Sequence, residues 1–211
     1  MTGMTGNTPT NALLFPFKHF KGVPALLTGL LAITVTALLG ARIDLSTAGV
    51  LSLSFAEPGI RTTMPVLLGQ GLVNWLSLSL CLLLAAHWLS PGRYSALDLI
   101  ATQAAARWPL LISALYLSFP PAGERIRQLT EDLVGAMPSE PGQVMADATY
   151  MGDAFVLTLL GLPLLAFLGW MVWLMFHGFR STTRLSIHQA LVSFLVALTI
   201  SHFFSRWIGG G

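Results

Sequence analysis

Charged residues are scarce in this sequence. Asp, Glu, Lys and Arg make up 9% of its 211 residues, whereas soluble domains contain about 25%. The formal net charge of +2 comes without a basic cluster, which argues against a nucleic-acid partner. The one cysteine, Cys81, lies in an apolar run, so the chain forms no internal disulfide, and we interpret this thiol as apolar packing.

Catalytic motifs are also missing. The sequence contains no H-E-x-x-H, G-x-S-x-G or C-x-x-C pattern and no glycine-rich phosphate loop. Its five histidines are scattered at spacings that demand no metal site: His19, His87, His177, His188 and His202. The sequence therefore predicts no enzymatic activity, no bound metal and no cofactor.

Apolar residues dominate what is present. They make up 54% of the chain, and the mean hydropathy is +0.72. A membrane-spanning helix needs about 17–25 mainly apolar residues, and five runs meet this length: about 24–41, 64–90, 96–119, 154–178 and 187–208. A lipid-exposed strand or loop would leave its backbone groups without partners. The predicted fold class is therefore an all-α integral membrane protein, a five-transmembrane-helix bundle with short interfacial segments.

The regions outside these runs define the domain organisation. Residues 1–14 are small and polar, which predicts a disordered tail before a single five-span domain over 15–208. The loop 120–153 is hydrophilic, and an apolar period near 3.6 predicts a surface helix at 123–136. Within the connection 42–61, "LSLSF" alternates apolar and polar residues. This alternation predicts either a short extended piece lying on the bilayer surface or the start of an interfacial helix.

Local patterns support the helix boundaries. Ser95 with Asp98, and Ser186 with Gln189, have the spacing of helix-capping pairs before the third and fifth runs. Small residues give the first run one smooth face, which favours close helix packing in lipid. They are Ala25, Gly29, Ala32, Thr36 and Gly40.

The orientation depends on a weak charge asymmetry. Five basic residues fall on each side, so the positive-inside rule does not decide between the two orientations. They are Lys18, Lys21, Arg93, Arg180 and Arg184 on one side, and Arg42, Arg61, Arg125, Arg127 and Arg206 on the other. Every acidic residue except Asp98 lies on the second side. We therefore predict a cytoplasmic N-terminus, in a plasma membrane or a bacterial inner membrane.

Arg107 is the most informative polar residue, because it lies in the middle of the third run. An intramembrane charge is costly and tends to face the interior of the bundle. Pro109 cannot donate to the Ala105 carbonyl, which predicts a kinked helix at this point. Gln70 and Asn74 lie at a comparable depth in the second run. Arg107 is then either a structural tie or part of the wall of a polar cavity.

The predicted partners of Arg107 are neutral acceptors. Arginine has five donors and no acceptor, so carbonyl and amide oxygens suit it. The candidates are the Ala105 carbonyl region, the Asn74 side chain and the carbonyls near Pro163.

A second polar stretch lies between the fourth and fifth runs. "FHGFRSTTRLSIHQ" (176–189) contains His177, Arg180, Arg184 and His188. Each basic residue near an anionic surface contributes about 1 kcal/mol to membrane attraction. We interpret these four residues as a site for anionic lipid or an acidic partner surface, with ordinary topological anchoring as the alternative.

Four motifs carry a resemblance to a known family. They are "FPFKHFKG" (15–22), "LVNWLSL" (72–78), "ARWPLL" (106–111) and "WLMFHGFRSTTRLS" (173–186). With these motifs the chain resembles a short bacterial-type member of the Yip (Ypt/Rab-interacting protein) membrane family. The resemblance implies five spans, a cytosolic N-terminus, an extracytosolic C-terminus and no enzymatic chemistry. Eukaryotic members act in vesicle trafficking and bind Rab-type GTPases.

Two functional hypotheses follow. The first is a non-enzymatic protein that organises membrane or binds membrane partners, such as anionic lipids, another membrane protein or a second copy of the chain. The second is a small transporter or channel with a polar cavity around Arg107, Asn74 and Gln70. A water-filled cavity that reaches Arg107 favours the second hypothesis, and a dry bundle favours the first.

Overall fold

The computed structural model describes residues 22–55, 61–90, 92, 94–135 and 148–209. The predicted tail 1–14, the "FPFKHFKG" segment up to residue 21 and Arg93 lie outside these ranges.

Helices account for most of the described chain. They are α1 (Gly22–Gly40), α2 (Met64–Leu89), α3 (Ala96–Ala105), α4 (Trp108–Ser118), α5 (Pro120–Gly135), α6 (Ala148–Thr183) and α7 (Ile187–Gly209). Two short strands, β1 (Leu45–Ser46) and β2 (Ser54–Phe55), lie between α1 and α2. The strands pair antiparallel, with Leu45 opposite Phe55 and Ser46 opposite Ser54.

Four of the described helices, α1, α2, α6 and α7, are long and apolar enough to cross a membrane. Their exposed surfaces carry large apolar side chains, which suits contact with lipid rather than water. Trp88 near the end of α2 and Trp207 near the end of α7 are 82% and 79% exposed. Because α2 and α7 run antiparallel, these tryptophans mark opposite faces of the bundle, as in the aromatic belts of membrane proteins. The all-α membrane class is confirmed.

The third predicted span is not one helix. It is divided into α3 and α4 by a turn at Ala106 and Arg107. The Arg107 amide donates to the Ala104 carbonyl at 3.1 Å, which tightens the chain at the end of α3. Pro109 has no N–H to donate to the Ala105 carbonyl, and its ring crowds that carbonyl. A new helix therefore starts at Trp108. The prediction of five continuous helices is therefore not confirmed, since this run breaks where only a kink was expected.

The small face of α1 packs against α3. Gly29 lies against the backbone of Ala104, with no space for a Cβ atom between them. The other predicted members of this face, Ala25, Ala32, Thr36 and Gly40, are also buried. A larger core joins α2, α3, α6 and α7 around Leu78, Leu82, Met175, Phe179 and Phe194.

The connection after α1 is partly buried among the helices. Leu45–Phe55, which we call the re-entrant hairpin, pairs its two short strands and inserts its tip among the helices. Leu45 is 1% exposed, and Val50 is 2% exposed and belongs to the main core. The alternation in "LSLSF" correctly indicated extended chain at Ser54–Phe55. Residues 51–55 are half-buried or exposed, and their place on the bilayer surface stays a prediction.

The helix ends agree with the sequence patterns. Ser95 Oγ accepts from the Asp98 amide at 3.3 Å, and Ser186 Oγ accepts from the Gln189 amide at 3.4 Å. The surface helix predicted at 123–136 is α5, which buries Ile126 and Leu129. The helix α6 begins at Ala148, inside the hydrophilic region 120–153, and its candidate membrane-spanning part begins at Gly152.

Candidate functional site

Arg107 lies at the junction between α3 and α4, where it precedes the first turn of α4. Its side chain is 2% exposed, so it faces the interior of the bundle as predicted. It is one of the largest fully buried side chains of the described residues. The broken helix therefore brings a guanidinium group into the interior of the protein.

The guanidinium lacks the partners that the sequence suggested. Arg107 Nε and Nη2 are buried and form no hydrogen bond within the described part of the chain. The prediction of neutral acceptors is therefore wrong for these two atoms. Near Pro163, the Leu160 carbonyl instead accepts from the Tyr116 hydroxyl at 3.1 Å. Among the described residues the salt bridge that forms is Arg127–Glu131, on the exposed face of α5.

A narrow cavity of about 20 Å³ adjoins Arg107. A single water molecule needs about 10–15 Å³ of such space, so the cavity is the size of one small species. Its polar walls come from Thr36, Thr47, Asn74 and Arg107. The remaining lining residues are apolar or glycine: Ile33, Ala37, Leu45, Leu67, Gly71 and Leu110.

The two amide side chains of the predicted site hold the re-entrant hairpin. Asn74 Nδ2 donates to the Thr47 carbonyl at 2.6 Å, and Gln70 Oε1 accepts from the Thr47 amide at 3.0 Å. Gln70 Nε2 also donates to the Gly209 carbonyl at the end of α7, at 3.2 Å. Asn74 thus shares the cavity with Arg107, whereas Gln70 is connected to the cavity through Thr47.

His202 on α7 is a further contact of the hairpin that the sequence analysis did not identify. Its Nδ1 accepts from the Leu51 amide at 3.4 Å. Gly49, at a φ of +120°, lies so close to this imidazole that a Cβ atom would approach it to 3.0 Å. The sequence signal for this packing was the low polarity of residues 45–55, because a surface loop carries more charge.

A second buried amide connects α3 with α6. Gln103 is fully buried, and its Nε2 donates to the Met175 carbonyl at 3.0 Å. Gly178 of α6 lies beside Thr102 and Gln103, where a Cβ atom would approach Thr102 to 3.1 Å. Sequence reasoning missed Gln103, although it lies in the same apolar run as Arg107.

The basic turn, residues 177–188, ends α6 and begins α7. Arg180, Arg184 and His188 are exposed, whereas His177 is half-buried and packs edge-on against Trp173 with ring centroids 4.2 Å apart. Arg184 has a φ of +55°, and its amide donates to the Arg180 carbonyl at 3.1 Å. This left-handed helix end usually takes glycine. Within the described ranges, no group of three or more His, Cys, Asp or Glu side chains could hold a metal ion.

An outer cleft of about 250 Å³ lies where the hairpin meets α4 and α5. Arg42, Glu124 and Arg127 supply its charged side chains. Ile43 lines this cleft and Leu45 lines the inner cavity, so a short piece of the same chain separates the two spaces.

Comparison with protein-family models, with curated proteins and with solved structures finds no match to this chain. The resemblance to the Yip family therefore stays a prediction from four motifs.

Proposed function

We propose that this chain is a small transporter or channel whose solute passes the cavity beside Arg107. The observation that carries the proposal is the buried Arg107 guanidinium, two of whose donor atoms have no partner within the described residues. A purely structural tie would use those donors, because an unsatisfied buried donor costs about 1–3 kcal/mol.

The backbone around the cavity supports this proposal. Asn74 is ten residues into α2, or about 15 Å along the helix, which is close to the middle of a hydrocarbon core about 30 Å thick. The Thr47 carbonyl meets Asn74 at that depth. Non-helical backbone inside a membrane is tolerated where it is buried in protein or lines a cavity. Transporters use broken helices in the same way to form their sites.

Passage of a solute requires the re-entrant hairpin to move. The cavity is the size of one water molecule, and Thr47 and Leu45 of the hairpin form part of its wall. Hydrogen bonds between the hairpin and the side chains of Asn74, Gln70 and His202 hold the hairpin in place. In the proposed mechanism these bonds break together when the hairpin opens toward the outer cleft.

The proposed topology has five crossings with a cytoplasmic N-terminus. In it α3 and α4 together form the third crossing, because residues 96–118 span about 35 Å if the two helices are roughly aligned. The excess of acids on the side of α5 and of the hairpin supports this orientation weakly. The proposed location is a plasma membrane or a bacterial inner membrane.

Flux measurements test the transport proposal. Purified protein in liposomes is given gradients of small salts and of neutral solutes, and swelling or an ion-sensitive dye reports passage. We expect flux of at least one solute above that of protein-free liposomes, and loss of this flux in Arg107→Gln. Arg125→Gln removes an exposed charge from α5 and serves as the control. Absence of flux for every solute would refute the proposal.

A second candidate function is binding of anionic lipid by the basic turn. Arg184 has a left-handed backbone conformation, which costs about 1–2 kcal/mol for a residue with a Cβ atom. Arg180 and Arg184 are exposed and form no ion pair within the described chain. Their free charge at the end of a membrane-crossing helix suits attraction to anionic head groups.

Two variants test this lipid site. Arg184→Gly removes the charge and relieves the backbone, so it should weaken binding to anionic vesicles while raising the thermal stability slightly. Arg180→Gln together with Arg184→Gln should weaken vesicle binding further. Unchanged binding in both variants would show that the turn is only a topological anchor.

The membrane-organising function, the binding of a membrane-protein partner or a second copy, and the absence of enzymatic activity stay predictions. The Yip resemblance supports them, and an affinity purification from native membranes is the measurement that addresses the partner.

A further inference from the structure

The charge of Arg107 is not balanced inside the bundle. Among the described residues, none that lines its cavity is acidic and none forms a salt bridge with the guanidinium. Arginine side chains stay protonated in proteins. An unpaired buried ion costs several kcal/mol. A positive charge in this setting therefore favours the entry of a negative partner from outside the chain.

We infer that the cavity beside Arg107 binds one small monovalent inorganic anion of halide size. The inference rests on the proposed function, because it names the class of solute that the cavity takes. It goes beyond that function in assigning a bound ion whose presence is measurable without any transport.

The donors around the cavity suit an anion. Arg107 contributes Nε and Nη2, both without partners in the described structure, and Thr36 and Thr47 bring hydroxyl groups to the same wall. The cavity also adjoins the beginning of α4, an eleven-residue helix whose N-terminal dipole favours negative charge. Apolar walls of Ile33 and Leu110 exclude water and strengthen each of these interactions.

The size of the cavity limits which anions can bind. A volume of about 20 Å³ admits a species close to one water molecule in size. Chloride or bromide meets this limit with modest adjustment of the side chains, whereas phosphate, sulfate and organic carboxylates are several times larger. The single positive charge of Arg107 balances one negative charge, so a divalent anion would leave one buried negative charge unbalanced.

Thermal unfolding of the purified full chain in uncharged detergent or neutral nanodiscs tests the inference. Sodium gluconate is replaced stepwise by sodium chloride at constant ionic strength. We expect the Tm to rise by about 3–6 °C when chloride is about tenfold above its dissociation constant. Replacement by sodium sulfate should give no rise. A wild-type Tm that does not respond to chloride would overturn the inference.

Variants separate the cavity from surface effects. Arg107→Gln should abolish the chloride response, Arg107→Lys should keep it at weaker affinity, and Arg125→Gln should keep it unchanged. If Arg107→Gln does not fold, Arg107→Lys and the wild type still decide the question. A response that persists in Arg107→Gln would overturn the inference, because the ion would then bind elsewhere.

A bromide-soaked crystal gives the position directly. We expect one anomalous peak within hydrogen-bond distance of the Arg107 guanidinium, and a peak at the basic turn alone would overturn the assignment. The two proposals fail in different ways. Chloride binding without any flux would refute transport and keep the anion site. Flux of a cation or neutral solute without a chloride response would refute the anion site and keep transport.

Discussion

A guanidinium group that leaves water without gaining protein acceptors carries a desolvation cost of several kcal/mol. Arg107 is in this position, since two of its donor atoms are unpaired in the described structure. The rest of the bundle must compensate for this cost through apolar packing. Removing the charge should therefore stabilise the protein where no anion is present to balance it.

The desolvation cost of the Arg107 guanidinium predicts the effect of Arg107→Leu on folding. In chloride-free buffer we expect the free energy of unfolding to be unchanged or to increase by about 1–4 kcal/mol, as when buried ions are replaced by apolar groups. Thermal unfolding in nanodiscs measures it. Arg125→Leu, on the exposed side of α5, should change the free energy of unfolding by less than about 0.5 kcal/mol. A strongly destabilised Arg107→Leu would mean that the guanidinium is a structural tie after all.

The sequence predicted part of the site. Arg107 and Asn74 were identifiable because polar side chains in the middle of apolar runs are rare and usually face inward. Thr47 and His202 were not identifiable. The hydrogen bond between Leu51 and His202 joins residues 151 positions apart. No local pattern in either segment encodes that contact, which depends on how α7 packs beside the hairpin.

The packing of α1 on α3 permits a test with two glycines. In Gly29→Ala the added methyl group meets the Ala104 backbone, which cannot yield as a flexible side chain can. We expect a loss of about 1–3 kcal/mol, the usual cost of overpacking. Gly161→Ala is the matched control, because nothing lies within 4 Å of the added atom. The better helix propensity of alanine should leave this control unchanged or stabilise it by up to about 1 kcal/mol.

Thermal unfolding of the two variants in the same lipid gives the comparison. Equal stability of Gly29→Ala and Gly161→Ala would contradict the close approach of α1 and α3.

The hairpin has a corresponding test in hydrogen exchange. Asn74→Ala leaves the buried Thr47 carbonyl without its donor, at a cost of about 1–3 kcal/mol. We expect the amides of residues 45–55 to exchange faster, while those of α6 change little. If the hairpin loses about 1.4 kcal/mol of local stability, its amides should exchange about tenfold faster. Mass spectrometry of the exchanged peptides measures it, and Gln128→Ala on the exposed face of α5 is the control. Uniformly faster exchange along the chain would instead indicate global destabilisation.

The break between α3 and α4 could be predicted from the sequence only in part. Pro109 indicated that regular hydrogen bonding ends near Ala105, and that much was correct. Whether a helix then bends or breaks depends on which neighbours accept the freed groups. Here Arg107 turns back to the Ala104 carbonyl and a new helix begins. The boundaries of α1, α2 and α7 were easier to predict, because each follows from a long apolar run.

For the whole molecule, the proposed orientation predicts which face reacts with impermeant reagents. Single cysteines replace Gln128 on α5 and Ser181 in the basic turn, both exposed, in a Cys81→Ala background. On intact cells we expect labelling at position 128 and protection at position 181, until the membrane is permeabilised. The reverse pattern would invert the topology and leave the site geometry unchanged. Labelling at both positions would contradict the span arrangement itself.

The length of α6 also determines how the molecule fits its membrane. This helix has 36 residues, and its apolar run, about 154–178, extends about 37 Å, which exceeds a hydrocarbon core about 30 Å thick. Only 6% of its most apolar stretch is buried by protein, and Phe155, Leu159 and Leu165 project from the bundle. Hydrophobic mismatch then has to be met by tilting or by a locally thicker bilayer. A thinner membrane should tilt α6 further and strain its packing on α4, so lipid chain length becomes a control on the stability of the protein.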